Sequence, residues 1–255
     1  GLRFLRHIER NSVLLFMMLY SSINTMKQCS LCLLRYPVTQ IINLPYFNAL
    51  ECLAPNRLCF YCKALIYEKK EATLPALPQL QSIIHGGLYD INPLNNTHSA
   101  LLQAFKYRRH ILFGKILTAS LVQHIMLQTL HKPRPDFLVI IPAHQQRLYE
   151  RGFSQTRLIG QWLSSFLNIP LLPLLKRHGT PKTQAGLSKQ DRLENIRDTF
   201  AVNTDIDLPD HAHIALIDDV LTTGATLTTA ANAIEKVHPS TTLDAWTLLY
   251  RPLEA

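Results

Sequence analysis

The chain has 255 residues, 47% hydrophobic and 17% charged, and its 26 lysines and arginines against 18 acidic residues leave a net charge of +8. That is enough for one large or two modest domains with a real core, and it excludes disorder and collagen-like repeats. Five unevenly spaced cysteines exclude a secreted disulfide scaffold. The charge is also segregated: residues 105–197 carry 15 basic and 4 acidic side chains, whereas residues 198–255 carry 2 and 9. A site built where the basic middle meets the acidic end would take an anionic ligand, a nucleic acid, or both.

Residues 1–25 read as a leader or upstream extension. Arg3, Arg6 and Arg10 precede an apolar run from Val13 to Tyr20, which is too short to span a bilayer and has no clear cleavage site after it. Met26, just before the first cysteine motif, looks like a natural start. No other stretch approaches 18 uninterrupted apolar residues, so no membrane span is expected and the expected location is cytoplasmic.

Residues 26–64 form a cysteine module. Cys29-Ser30-Leu31-Cys32 and Cys59-Phe60-Tyr61-Cys62 are two knuckles 26 residues apart. The two-residue gap lets both sulfurs of a knuckle face one ion. Cys29, Cys32, Cys59 and Cys62 are therefore the expected ligands of a structural, zinc-ribbon-like Zn2+ site with no open position for water. Disulfides or buried free thiols are the alternative, and Cys52 is a surplus ligand or a free thiol. Residues 65–82, with Pro75 and Pro78, read as a linker.

Residues 83–255 have an α/β pattern. Helical apolar spacing appears at Leu101, Leu102 and Phe105 and again over residues 111–130. Phe137 to Ile141 is a continuous apolar run of the kind found in a strand buried on both faces. Ser154 is a plausible N-cap for a helix with Leu158, Ile159, Trp162 and Phe166 on one face. A short run follows at 171–175, a second buried strand at 213–217, a helix at 226–237 and a closing strand at 243–249. This alternation predicts a mostly parallel sheet with ligands at the carboxyl ends of its strands.

The run from Ile214 to Thr226 carries the chemistry. Asp218 and Asp219 end an apolar strand, and Leu221, Thr222, Thr223, Gly224, Ala225 and Thr226 lead into a helix. Backbone N–H groups and threonine hydroxyls of this loop can converge on a phosphate, with Gly224 permitting close approach. The two carboxylates, one loop-width away, can accept from sugar hydroxyls.

This run resembles the type I phosphoribosyltransferases, whose signature for phosphoribosyl pyrophosphate (PRPP) is an apolar strand, two acidic residues and Thr-Thr-Gly-x-Thr. The resemblance extends to the ComF family of competence-associated proteins, including its GntX-like members. It rests on the cysteine knuckles, Phe105-Lys106-Tyr107-Arg108-Arg109, Pro142-x-His144, Glu150-Arg151-Gly152-Phe153-x-Gln155, the 183–188 segment and Arg192-x-x-Asn195, all in order over roughly residues 27–250. Ala143 and Ser154 stand where that family more often shows Leu and Asn.

The resemblance implies a type I phosphoribosyltransferase fold that binds PRPP or a ribose-5-phosphate-like ligand with Mg2+. It implies a role in competence, DNA uptake and single-stranded DNA handling, with competence proteins as further partners. Asp218 and Asp219 would face the ribose during catalysis, and Arg147, Arg151 and Gly152 would form the pyrophosphate loop. Lys176 to Arg192, including Lys182, Gln184 and Gly186, would be a lid. No base-reading hood is recognisable and no nucleophile can be named, which leaves open a non-catalytic nucleic-acid-binding adaptor or a salvage enzyme. Lys106, Arg108 and Arg109 are nucleic-acid candidates, since alternating rings and cations suit single strands. The same segment also reads as an amphipathic helix end with cations at its C-terminus.

Overall fold

A computed structural model describes residues 26–37, 53, 57–67, 72–92, 96–177 and 199–252. The leader, Cys52 and the expected lid residues Lys182, Gln184 and Gly186 lie outside the described residues. β1 (Met26–Gln28) and β2 (Arg35–Pro37) pair antiparallel around the first cysteine knuckle, and the second knuckle enters α1 (Phe60–Tyr67). The larger part follows as β3 (Ser82–His85), α2 (Thr97–Arg108), α3 (Ile111–Gln128), β4 (Phe137–Ile140), α4 (Gln145–Arg151) and α5 (Gln155–Leu167). It continues through β5 (Leu171–Leu172), β6 (Leu175–Arg177), β7 (Phe200–Val202), β8 (His213–Leu221), α6 (Ala225–Val237) and β9 (Thr242–Tyr250).

Five strands form one sheet in the order β3-β9-β8-β4-β5, and every neighbouring pair is parallel. β6 and β7 make a separate antiparallel pair. Both faces of the sheet are covered, which is why β4 and β8 read as unbroken apolar runs. Along β8, Ala215 and Ile217 join a core with Leu102, Leu117 and Ile159, whereas Ile214 and Leu216 join a second core with Leu227, Ala231 and Ile234 of α6. The expected α/β class, a mostly parallel sheet flanked by helices with a small cysteine module, is the observed one.

Local chemistry sets the helix ends. Ser154 caps α5 as predicted, its Oγ accepting from the Arg157 N–H at 3.2 Å. Gly224 sits at φ +82° before α6, and Leu77 side-chain carbons lie 2.6 Å from where its Cβ would be. α3 is long and apolar enough to pass for a membrane span, but Ile116, Leu117, Leu121 and Ile125 are buried in the first core.

Two boundaries differ from the sequence reading. β8 runs four residues past Ile217, because pairing with β9 continues through Asp218↔Thr247, Val220↔Leu249 and Leu221↔Tyr250, so both aspartates lie within the strand. The 171–175 run divides into β5 and β6, which pair with different strands on either side of Pro173, a residue with no N–H to give a ladder.

The cysteine module docks on the first core. Ile66 is fully buried, and its carbonyl accepts from Ser120 Oγ at 2.9 Å and His98 Nε2 at 3.1 Å. The Ser120 hydroxyl also lies 2.6 Å from the Gly86 carbonyl, at the end of β3. α1 runs on to Tyr67, so position 64 falls inside a helix, and Leu74, Leu77 and Leu80 of the expected linker pack against the second core. Ser120→Ala removes the buried donor shared by Ile66 and Gly86 and should lower stability by about 1–3 kcal/mol. Denaturant unfolding checks this, and an unchanged midpoint would show that the hydroxyl contributes nothing.

Candidate functional site

The chain leaves β4 for β5 at one edge of the sheet and leaves β8 for β9 on the other side. Such a reversal opens a crevice at the carboxyl ends of the two strands. Here it is a cleft of about 630 Å³, walled by residues between Ile141 and Thr156, by residues between Asp218 and Thr226, and by Lys106 and Arg177. Its size suits a small-molecule ligand.

Asp218 and Asp219 form its acidic wall. Burial, and then the neighbouring Asp219 charge, push the Asp218 carboxyl up to about 7, against the opposing pull of the Asp219 N–H, Lys106 and Arg147. That N–H donates to Asp218 Oδ1 at 2.8 Å. Asp219 Oδ2 is 2.7 Å from Lys106 Nζ, and only 19% of the Asp219 side chain and 14% of the Lys106 side chain are exposed. Lys106 reaches the cleft because its neighbour Phe105 is fully buried beneath Gly114 and beside the Phe153 and Trp162 rings.

Cations form the opposite side. Arg147 and Arg151 line the cleft from α4. Arg151 donates to Gln155 Oε1 at 2.9 Å, and its guanidinium lies 5.3 Å from the Tyr107 ring centre. Arg177 donates to the Pro142 carbonyl at 3.1 Å and stacks on Phe200. Burial and then the nearby Arg147 charge lower its pKa, while Asp218 opposes this.

The threonine loop borders the same space. Thr222 and Thr226 line the cleft, and Leu221, Gly224 and Ala225 line a small adjoining cavity of about 20 Å³. Thr223 Oγ1 accepts from the Ala225 N–H at 3.4 Å. Gly152 is not part of the cleft wall. It ends α4 at φ +74°, and the Arg109 guanidinium comes within 2.7 Å of the place a Cβ would take. Arg109 also donates to the Arg151 carbonyl at 3.1 Å. The three nucleic-acid candidates therefore separate, with Lys106 in the cleft and Arg108 and Arg109 exposed outside it.

The four described cysteines meet as expected for one ion. Their sulfurs all lie within 4.8 Å of one another, with Cys32 and Cys59 3.7 Å apart. A disulfide needs about 2.05 Å, whereas sulfurs around a tetrahedral zinc with bonds of about 2.3 Å stand roughly 3.8 Å apart. Burial raises the Cys29 thiol, but the N–H groups of Cys32, Cys59 and Leu31 outweigh it and hold it at about 6. Burial and the neighbouring thiols raise Cys62. Among the described residues this is the set of three or more His, Cys, Asp or Glu placed to hold an ion.

Several cleft residues were not singled out from the sequence. Arg177 falls only within the expected 176–192 lid, without a role of its own; it comes from β6 and lines the cleft. Gln155 and Thr156 are 2% and 5% exposed, and Gln155 Nε2 has no hydrogen-bond partner among the described residues. The signal for Gln155 was its place in the Glu150-Arg151-Gly152-Phe153-x-Gln155 block.

The fold and cleft define an α/β protein with a cleft lined by cations and two aspartates at a strand switch point, and a four-cysteine module. No family model matches the chain. It is 31% identical over 142 residues to Competence protein F of Haemophilus influenzae, covering 54% of this chain and 62% of that one. It is 30% identical over 144 residues to the DNA utilization protein YhgH of Escherichia coli K12, covering 53% and 60%. It is 28% identical over 158 residues to Competence protein ComFC of Bacillus subtilis, covering 61% and 60%. The chain thus spans about three fifths of the length of these curated relatives. They support membership of the ComF family. Among solved structures, an adenine phosphoribosyltransferase overlaps 56% of this chain and 84% of its own at 15% identity and a TM-score of 0.38. That of Leishmania tarentolae overlaps 67% and 96% at 13% identity and a TM-score of 0.33. Overlaps of this size leave the sheet topology itself to define the fold.

Because the Asp218 carboxyl is raised above its ordinary value of 3.8, its share of stability is intact below that value and is lost as pH climbs through about 7. Asp218→Asn removes this loss, so the variant should gain stability relative to wild type between about pH 4 and about pH 8 and level off above. Unfolding curves at the two ends of that window check it. An equal offset at both would mean that Asp218 ionises at its ordinary value.

Proposed function

We propose that the chain binds PRPP or a related ribose-5-phosphate ligand in the switch-point cleft, within a ComF-like role in DNA uptake and single-stranded DNA handling. One observation carries this reading: Lys106, Arg147, Arg151 and Arg177 line the same cleft as two adjacent carboxylates and the threonine loop. The threonine loop suits a 5-phosphate, the carboxylates suit vicinal hydroxyls, and the arginines suit a diphosphate. Mg2+ would arrive with the diphosphate as its counter-ion. If transfer chemistry occurs, the arginines would stabilise the charge that grows on departing pyrophosphate. The DNA role draws on the names of the relatives, and single-stranded DNA, competence proteins and a cytoplasmic location belong to the same proposal.

Wild-type protein should bind PRPP with Mg2+ in calorimetry, and the double variant Asp218→Asn, Asp219→Asn should lose at least about tenfold in affinity. Binding that survives the double variant removes the carboxylates from the site. Pyrophosphate release measured with a panel of bases and amines separates an enzyme from an adaptor, since binding without release supports the latter.

We also propose that Cys29, Cys32, Cys59 and Cys62 hold structural zinc. Metal analysis of freshly purified, reduced protein should find about one zinc per chain, and Cys59→Ser should lose it and unfold at a lower temperature. Zinc-free protein with an unchanged melting temperature would overturn the assignment.

A further inference from the structure

Two neighbouring carboxylates on one strand end repel each other, and partial burial adds to the cost of ionising both. Left alone, such a pair keeps a proton on one member, and a protonated carboxyl accepts fewer hydrogen bonds. The cleft meets this problem with a cation from a different element. Lys106, from the last turn of α2, is bonded to Asp219 Oδ2 at 2.7 Å, and both side chains are mostly buried. Its stem is fixed by the buried Phe105 beside it, held under Gly114 and against Phe153 and Trp162.

We propose that Lys106 is a positioning residue of this site, holding Asp219 as an ionised, oriented acceptor so that two adjacent carboxylates can face the vicinal hydroxyls of a ligand; the role rests on the phosphoribosyl reading. The lysine occupies one oxygen of Asp219 and sits where its charge also favours ionised Asp218. The other groups facing Asp218 are Asp219 on its own strand, Arg147 from α4 and Arg177 from β6. His144, Glu150 and Arg151 complete the titratable and charged lining. Of the cations, Lys106 is the one in direct contact with the carboxylate pair among the described ion pairs. Losing it should therefore change how the pair titrates as well as how tightly the ligand is held.

The test compares wild type, Lys106→Met and Lys106→Arg by calorimetric titration with PRPP and Mg2+ across the pH range. Carbon-13 NMR of the aspartate carboxyls, without ligand, gives an independent readout, and thermal melting confirms that each variant is folded. Lys106→Met should bind PRPP about ten- to a hundredfold more weakly at neutral pH. The acid limb of its binding profile and the Asp218 carboxyl titration should both move up by about one pH unit. Lys106→Arg should restore most of the affinity and the wild-type titration. Wild-type protein that binds no PRPP at any pH overturns the phosphoribosyl reading. Wild-type binding with unchanged affinity and unchanged carboxyl titration in Lys106→Met overturns the role of Lys106 alone.

Discussion

Parallel pairing of β4 with β8, in register from Phe137↔Ile214 to Ile140↔Ile217, is the constraint from which the site follows. Two parallel neighbours end on the same side of the sheet. When one chain then turns toward β5 and the other toward β9, their connections diverge and the space between them stays open. Residues on the two connections thus line one cleft. The buried runs fix this geometry, because slipping either strand by one residue would exchange its two faces between the two cores. The chemistry of the cleft is then a matter of what is delivered to a gap that already exists.

What is delivered is an excess of positive charge with a local negative pair. Arg177 has burial and a neighbouring Arg147 acting against its charge, and Asp218 has burial and Asp219 acting against its own. These are opposite strains in one cavity. A ligand with anionic groups at one end and hydroxyls at the other relieves both, which neither a plain anion nor a neutral sugar does. Four of the 15 basic side chains of residues 105–197, Lys106, Arg147, Arg151 and Arg177, line this one cleft. Of the three nucleic-acid candidates, only Arg108 and Arg109 are exposed outside the cleft, a smaller basis for nucleic-acid contact by that segment than the net charge alone implies.

The strands, the Ser154 cap and the aspartate pair were legible in the sequence because each depends on neighbours within a few residues. The destination of Lys106 was not. Its segment fits an amphipathic helix end or a nucleic-acid surface equally well, and the choice is made by Phe105 sinking beneath Gly114, a contact between two helices. Gly152 shows the same limit. Beside two cationic motifs it reads as room for a ligand, yet it is needed for a left-handed helix end and for the Arg109 guanidinium that covers it. Gly224 reads as a position of close approach to a phosphate, and the side chain that lies against it is Leu77, which the sequence places in a linker. In each case local spacing identified the special residue, and only a tertiary contact revealed its use.

The cysteine knuckles were equally legible, but their relation to the cleft depends on polar groups inside helices, where sequence patterns carry no partner information. His98, in the first turn of α2, meets the buried Ile66 carbonyl at the end of the cysteine module, and Lys106, in the last turn of the same helix, meets Asp219. The two positions are eight residues apart, about 12 Å along the axis. α2 is therefore held at one end by the module and at the other by the carboxylate pair. Ser120 repeats the attachment from α3, bridging Ile66 to the Gly86 carbonyl after β3. The module is packed against the helix that supplies the cleft with the cation bonded to Asp219. Phe105, buried against Gly114, Phe153 and Trp162, turns Lys106 toward the cleft, and the contact of His98 with Ile66 ties the other end of the same helix to the module.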